Sequence, residues 1–120
     1  MFPYENLEVY KKAFALNRRI YSFLKTNQSI AAYLKNQLGR ASLSIMLNIA
    51  EGSGKFAPKD RRNFFIIARG SAFECAAIIS FLHAENELKE NDKLLYHQGY
   101  EEISKILFVM IKNLEVKLAD

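Results

Sequence analysis

An all-α fold, an up-and-down four-helix bundle in one domain, is what this sequence predicts. Three observations carry that expectation. Apolar residues recur at helical spacing through long segments, only two prolines and five glycines interrupt the 120 residues, and the segments between them are short and polar. Short connections make consecutive helices antiparallel neighbours. With 50% hydrophobic residues the chain can bury a core without disulfide or metal support, so a single domain over 1–120 is expected.

The first helix is expected over about 6–25. Leu7, Tyr10, Phe14, Tyr21 and Leu24 form one stripe, with Val9, Ala13, Leu16, Ile20 and Phe23 beside it. Lys25 to Ser29 is polar, and Ser29 is the expected N-cap of a second helix over about 30–51. Gly52-Ser53-Gly54 should end that helix, because glycine enters the left-handed conformation without a Cβ penalty. Pro58 suits the first turn of a third helix and Asp60 favours its dipole. That helix is expected to reach about Lys89. A fourth is expected over about 92–118, capped by Asn91.

Folding helices two and three back around Lys55 and Phe56 sets Gly39 and Ala41 opposite Gly70. A mid-helix glycine costs about 1 kcal/mol against alanine, and close helix approach would account for it. The same register brings Arg40 and Gln37 near Glu74, and Glu51 beside Arg61 and Arg62, as inter-helix ion pairs or hydrogen bonds. Arg40, Glu51, Arg69 and Glu74 could instead form an acid-base or ligand cluster, but structural ion pairs are far commoner.

Ile106 to Ile111 is apolar for six consecutive residues and so covers the whole circumference of the fourth helix. Phe64 to Ala68 and Ala76 to Leu82 show the same excess in the third. One core cannot bury all of it, which implies a homo-oligomer with closed symmetry; the plainer alternative is a monomer with a thick core and a few exposed apolar side chains.

No catalytic chemistry is legible. Gly52-Ser53-Gly54-Lys55 is not a P-loop, since Ile49 stands where glycine is required and Phe56 where Ser or Thr follows the lysine. His83 and His97 lack partners at ligand spacing, so neither a metal nor a cofactor is expected. Cys75 lies among apolar neighbours and reads as a small core residue, suited to a reducing compartment. The N-terminus has no secretory pattern, and the longest charge-free strip of the third helix, Cys75 to Ala84, is short of the ~20 apolar residues of a membrane span. A cytoplasmic protein without a membrane partner is expected.

Seventeen basic against thirteen acidic residues give a net charge of +4, which permits a polyanionic partner without requiring one. The distribution says more. In an up-and-down bundle the second loop gathers Lys55, Lys59, Arg61 and Arg62 against Glu51 and Asp60. The opposite end holds Glu85, Glu87, Glu90 and Asp92 against Lys89 and Lys93. The four cations are the candidate nucleic-acid-binding residues, and a ring would multiply them into a basic rim. The plainer reading of each is a solvated helix-end residue.

The stretches Gln37-Leu38-Gly39-Arg40-Ala41-Ser42-Leu43-Ser44-Ile45, Asn48-Ile49-Ala50-Glu51-Gly52-Ser53-Gly54-Lys55 and Ala68-Arg69-Gly70-Ser71-Ala72-Phe73-Glu74, in this order on consecutive helices, resemble the four-helix-bundle or 23S rRNA intervening-sequence proteins. The resemblance runs from Phe2 through the fourth helix. It implies a left-handed up-and-down bundle that associates into a ring, usually a pentamer. It also implies a relation to proteins encoded within bacterial ribosomal RNA genes and to accessory proteins of diversity-generating retroelements, which bind a reverse transcriptase and nucleic acid. Asn48, Glu51, Gly52, Gly54, Arg69, Gly70, Ser71 and Glu74, with Arg40, are carried over as motif residues, and no catalytic activity attaches to them. Two functions are expected to compete: a non-catalytic oligomeric scaffold for RNA, DNA or a nucleic-acid enzyme, and a protein-interaction ring with no nucleic-acid role.

Overall fold

The computed structural model describes residues 1–119. A 3-10 turn, Pro3–Asn6, leads into α1 (Glu8–Thr26), α2 (Ala32–Ser53), α3 (Pro58–Ala84) and α4 (Glu90–Ala119). Each helix packs on its two neighbours around the bundle, most extensively α3 on α2 and on α4, and among the described residues no diagonal pair of helices brings its backbones close. The bundle is elongated, 50 × 27 × 22 Å. In α1 the second of the two apolar stripes, Val9, Ala13, Leu16, Ile20 and Phe23, is the buried one, while Phe14 and Tyr21 of the other are exposed. The chain start is held by the Phe2 backbone N–H, which donates to Glu5 Oε2 at 2.6 Å.

Helix ends depart from expectation where single residues intervene. Ser29 does not cap α2; the N-cap is Ala31, without a side-chain bond, because buried Ile30 holds the connection in a non-helical turn. The third helix stops at Ala84, not Lys89. Asn86 adopts the left-handed conformation at φ 61°, its N–H donates to the His83 carbonyl at 3.0 Å, and Glu87 N–H donates to the Leu82 carbonyl at 2.9 Å. That is a Schellman closure with asparagine in the usual glycine position. α4 then begins at Glu90, so Asn91 lies inside it instead of capping it.

The glycines also play other parts than expected. Gly54 ends α2 in a right-handed conformation at φ −89°, and no glycine has positive φ. Gly52 is needed for space: a Cβ there would lie 2.9 Å from Phe64 Cβ and 2.9 Å from a Phe65 ring carbon. The approach expected of Gly39 and Ala41 to Gly70 is not formed. A Cβ on Gly70 would meet nothing within 4 Å, and one on Gly39 would make ordinary contact with Leu24 of α1. α3 is rotated so that Ala68, Ala72 and Cys75 face the core and Gly70 faces outward.

At mid-bundle each helix supplies one polar group to the interior. The Ser42 hydroxyl donates to Asn17 Oδ1 at 2.8 Å. Tyr100 is 1% exposed; Ser42 and Cys75 lie close enough to influence its ionisation, yet its hydroxyl completes no hydrogen bond. Burial pushes the Cys75 thiol up from 9.0 to about 12, and burial likewise raises the Tyr100 phenol. A folded-state pKa above the unfolded one adds stability that is complete below the unfolded pKa and is lost as pH climbs through the folded one. For Cys75 that window runs from 9.0 to about 12. Because thiolate is the reactive form, Cys75 should resist a thiol reagent at pH 8 in the folded protein and label fully in denaturant. Rapid native labelling would show that the thiol is accessible.

Candidate nucleic-acid interface and assembly surface

The α2–α3 connection is a tied loop. Gly54 N–H donates to the Glu51 carbonyl at 3.1 Å and Lys55 N–H to that of Gly52 at 3.2 Å, while Pro58 fixes the first residue of α3. Ala57 is the N-cap and has no side-chain oxygen to offer, so the first-turn N–H groups of Lys59 and Asp60 are uncapped. Phe56 projects from the tip, 102% exposed. Lys55 Nζ lies 5.2 Å from the Phe64 ring centroid, and Lys59 is exposed. Arg61 and Arg62 are half-buried, and their buried Nε atoms have no hydrogen-bond partner.

The structure thus brings all four candidate cations to one end, and adds a fifth. Lys117 of α4 shares a groove with Arg61, Phe65 and Met110. Up-and-down topology places the end of α4 beside the start of α3, and that was the available signal for it. Among the described residues none of Lys55, Lys59, Arg61 and Arg62 forms an ion pair; the pairs are Lys11 with Glu8, Lys12 with Glu102, His83 with Glu90, Lys105 with Glu101 and Lys112 with Glu115. The expected pairing of Glu51 with Arg61 and Arg62, and of Arg40 with Glu74, is therefore not formed.

The hairpin is joined by hydrogen bonds without ion pairs, among them the expected approach of Gln37 to Glu74. Asn48 Nδ2 donates to the Ser44 carbonyl at 2.8 Å and to its hydroxyl oxygen at 2.9 Å, and the Ser71 hydroxyl donates to Ser44 Oγ at 2.9 Å. Gln37 Nε2 reaches Glu74 Oε2 at 3.4 Å. Ser71 of the motif thus ties α3 to α2 at Ser44, and Asn48 holds that Ser44 hydroxyl from within α2. Arg69 turns the other way: Nε donates to the Ser104 carbonyl of α4 at 3.2 Å, and its guanidinium lies 4.7 Å and 5.3 Å from the Phe73 and Phe108 ring centroids. Arg69 is thereby separated from Glu74, and no acid-base cluster assembles from Arg40, Glu51, Arg69 and Glu74.

The remote end is less uniformly acidic than the sequence implies. His83 Nε2 meets Glu90 Oε2 at 2.6 Å beside a cavity of about 670 Å³ lined by Glu87, Lys89 and Asp92 among others. The α1–α2 corner of that end, however, carries Lys25 and Lys35 around a second depression. Among the described residues no group of three or more His, Cys, Asp or Glu side chains is placed to hold a metal ion.

A second surface is apolar. Ile66, Phe73 and Phe81 are exposed along α3, with Gly70 and Ala77 between them. Beside them on α4 the six-residue run divides: Leu107 and Ile111 are buried, Ile106 and Met110 half-buried, and Phe108 and Val109 exposed. Ile66, Gly70, Phe73 and Phe108 line a groove of about 380 Å³ between the two helices. By length and composition α3 could cross a membrane, a property that the strip Cys75 to Ala84 had understated, and only 33% of its most apolar window is buried. An apolar helix this exposed has apolar surface left for a partner.

Fold and surfaces define a small all-α bundle that carries a basic, aromatic-tipped end and an uncovered apolar helix face. The chain belongs to the 23S rRNA-intervening sequence protein family, whose model matches residues 5–109. Among solved structures it is similar to a protein of unknown function from the S23 ribosomal protein family of Bacteroides thetaiotaomicron, seen in a crystal structure at 1.70 Å. The two are 26% identical with a TM-score of 0.81, over 87% of this chain and 98% of that one. A search of curated proteins finds no match. Neither the family's description nor that of the neighbour names a reaction.

Proposed function

We propose that this protein is a non-catalytic bundle that assembles with copies of itself, as a pentameric ring by the family resemblance, and binds nucleic acid or a nucleic-acid-processing enzyme through its basic end. The observation that carries the reading is the gathering of Lys55, Lys59, Arg61 and Arg62, none ion-paired among the described residues, around the uncapped start of α3. Helix N-termini and cationic side chains both favour phosphate. Glu51 and Asp60 reduce the local excess without cancelling it.

Binding through phosphates releases counterions, so affinity should fall steeply with salt and depend little on sequence. Replacing Lys55, Lys59, Arg61 and Arg62 together by Gln should lower affinity for RNA and DNA and flatten the log–log salt slope by up to about 3, with helical content and assembly mass unchanged. Replacing Lys89 and Lys93 should do little. The second reading, a ring that binds protein only, is favoured by the apolar face of α3. It takes over if the parent binds neither nucleic acid at low salt.

A further inference from the structure

An isolated exposed apolar side chain is ordinary on a protein surface. Phe56 differs in its setting. It stands at the tip of a short loop whose amides are bonded back to α2 and whose exit is fixed by Pro58. Lys55 and Lys59 flank it in sequence, and the next turn of α3 brings Arg61 and Arg62. The Lys55 ammonium is drawn inward over Phe64, not over Phe56, so the Phe56 ring is left uncovered. An uncovered aromatic ring on a tied loop among cations and free helix amides has the composition of a single-strand site: the ring offers a stacking face, the cations track the backbone.

We infer that Phe56 stacks on an unpaired base and that the basic end therefore prefers single-stranded RNA or DNA to duplex. The inference rests on the nucleic-acid reading above and deepens it. Within a duplex both faces of each base are occupied by neighbours, so the ring gains nothing there, whereas every base type presents a face when unpaired. Recognition is accordingly sequence-tolerant. The phosphate of the stacked nucleotide falls to the uncapped N–H groups of Lys59 and Asp60 and to the Lys59 ammonium, against the opposing charge of the Asp60 carboxylate.

The chain contains no tryptophan, so Phe56→Trp installs a single fluorescent reporter at the tip. An oligothymidylate or oligouridylate of about twelve nucleotides, within the usual site sizes for single strands, should quench that fluorescence, and a duplex of equal length should not. Phe56→Ala should weaken single-strand binding by roughly 5- to 150-fold, as expected for loss of one stacked base, and leave duplex affinity unchanged. Unaltered single-strand affinity in Phe56→Ala, or an equal loss on duplex, overturns the inference. So does a change in assembly mass, which would make Phe56 a contact between copies. If the four-Gln variant loses binding while Phe56→Ala keeps it, stacking alone fails and the basic-end reading stands. If the parent binds neither probe, both fall together.

Discussion

Gly52→Leu is expected to lower the melting temperature by roughly 4 to 12 °C, whereas Gly70→Ala should raise it slightly. The two glycines lie in consecutive helices and differ in what surrounds them. A Cβ at position 52 would lie 2.9 Å from the Cβ of Phe64, an atom tied to the backbone of α3, and the same distance from the ring of buried Phe65. Neither can yield without moving the hairpin, so the cost is that of overpacking, about 1 to 3 kcal/mol, and a domain of this size loses about 4 °C per kcal/mol. At Gly70 no atom lies within 4 Å of an added Cβ. Alanine there gains up to about 1 kcal/mol of helix propensity. Thermal denaturation followed by circular dichroism compares the two directly. Equal, small shifts would mean that α2 and α3 are not in contact at Gly52.

That contrast marks where the sequence stopped being informative. Helix identity was legible from apolar spacing, and so were two adjacent stripes on α1, though not that the one through Val9, Ala13, Leu16, Ile20 and Phe23 is buried. The rotation of α3 about its axis was not. Small residues occur on more than one of its faces, so Gly70 could be set against α2 as readily as Ala68 and Ala72, and only packing of the whole bundle distinguishes them. The end of α3 was missed for a related reason: asparagine enters the left-handed conformation less readily than glycine, and nothing local shows that Asn86 does so. The basic end was legible because up-and-down topology fixes which helix ends meet. Phe56 is legible in the sequence as the loop centre and as the residue that spoils a phosphate-loop pattern, but its exposure is not, since that depends on how the loop is tied.

The largest functional effect is expected from the apolar face. Phe73 is 55% exposed at the centre of a stripe containing Ile66, Gly70 and Ala77, next to Phe108. If copies of the chain meet there, multi-angle light scattering of the parent at micromolar concentration should give a multiple of 13.8 kDa, and Phe73→Glu should reduce it to a single chain. The variant should still fold. Position 73 is one helical turn from Arg69, whose guanidinium already lies against the Phe73 ring, so a carboxylate gains an i,i+4 neighbour of opposite charge. In an assembled interface the same carboxylate would be buried against apolar side chains, where a charge without a dedicated partner is strongly unfavourable. The mass should therefore fall while the helical signal persists. Phe14→Glu, on the exposed side of α1, serves as the control, because it adds a charge away from the α3–α4 groove and should leave the mass unchanged. A parent that is already monomeric would remove the assembly and with it the multiplied basic rim, leaving each α2–α3 loop to bind nucleic acid through its own few cations.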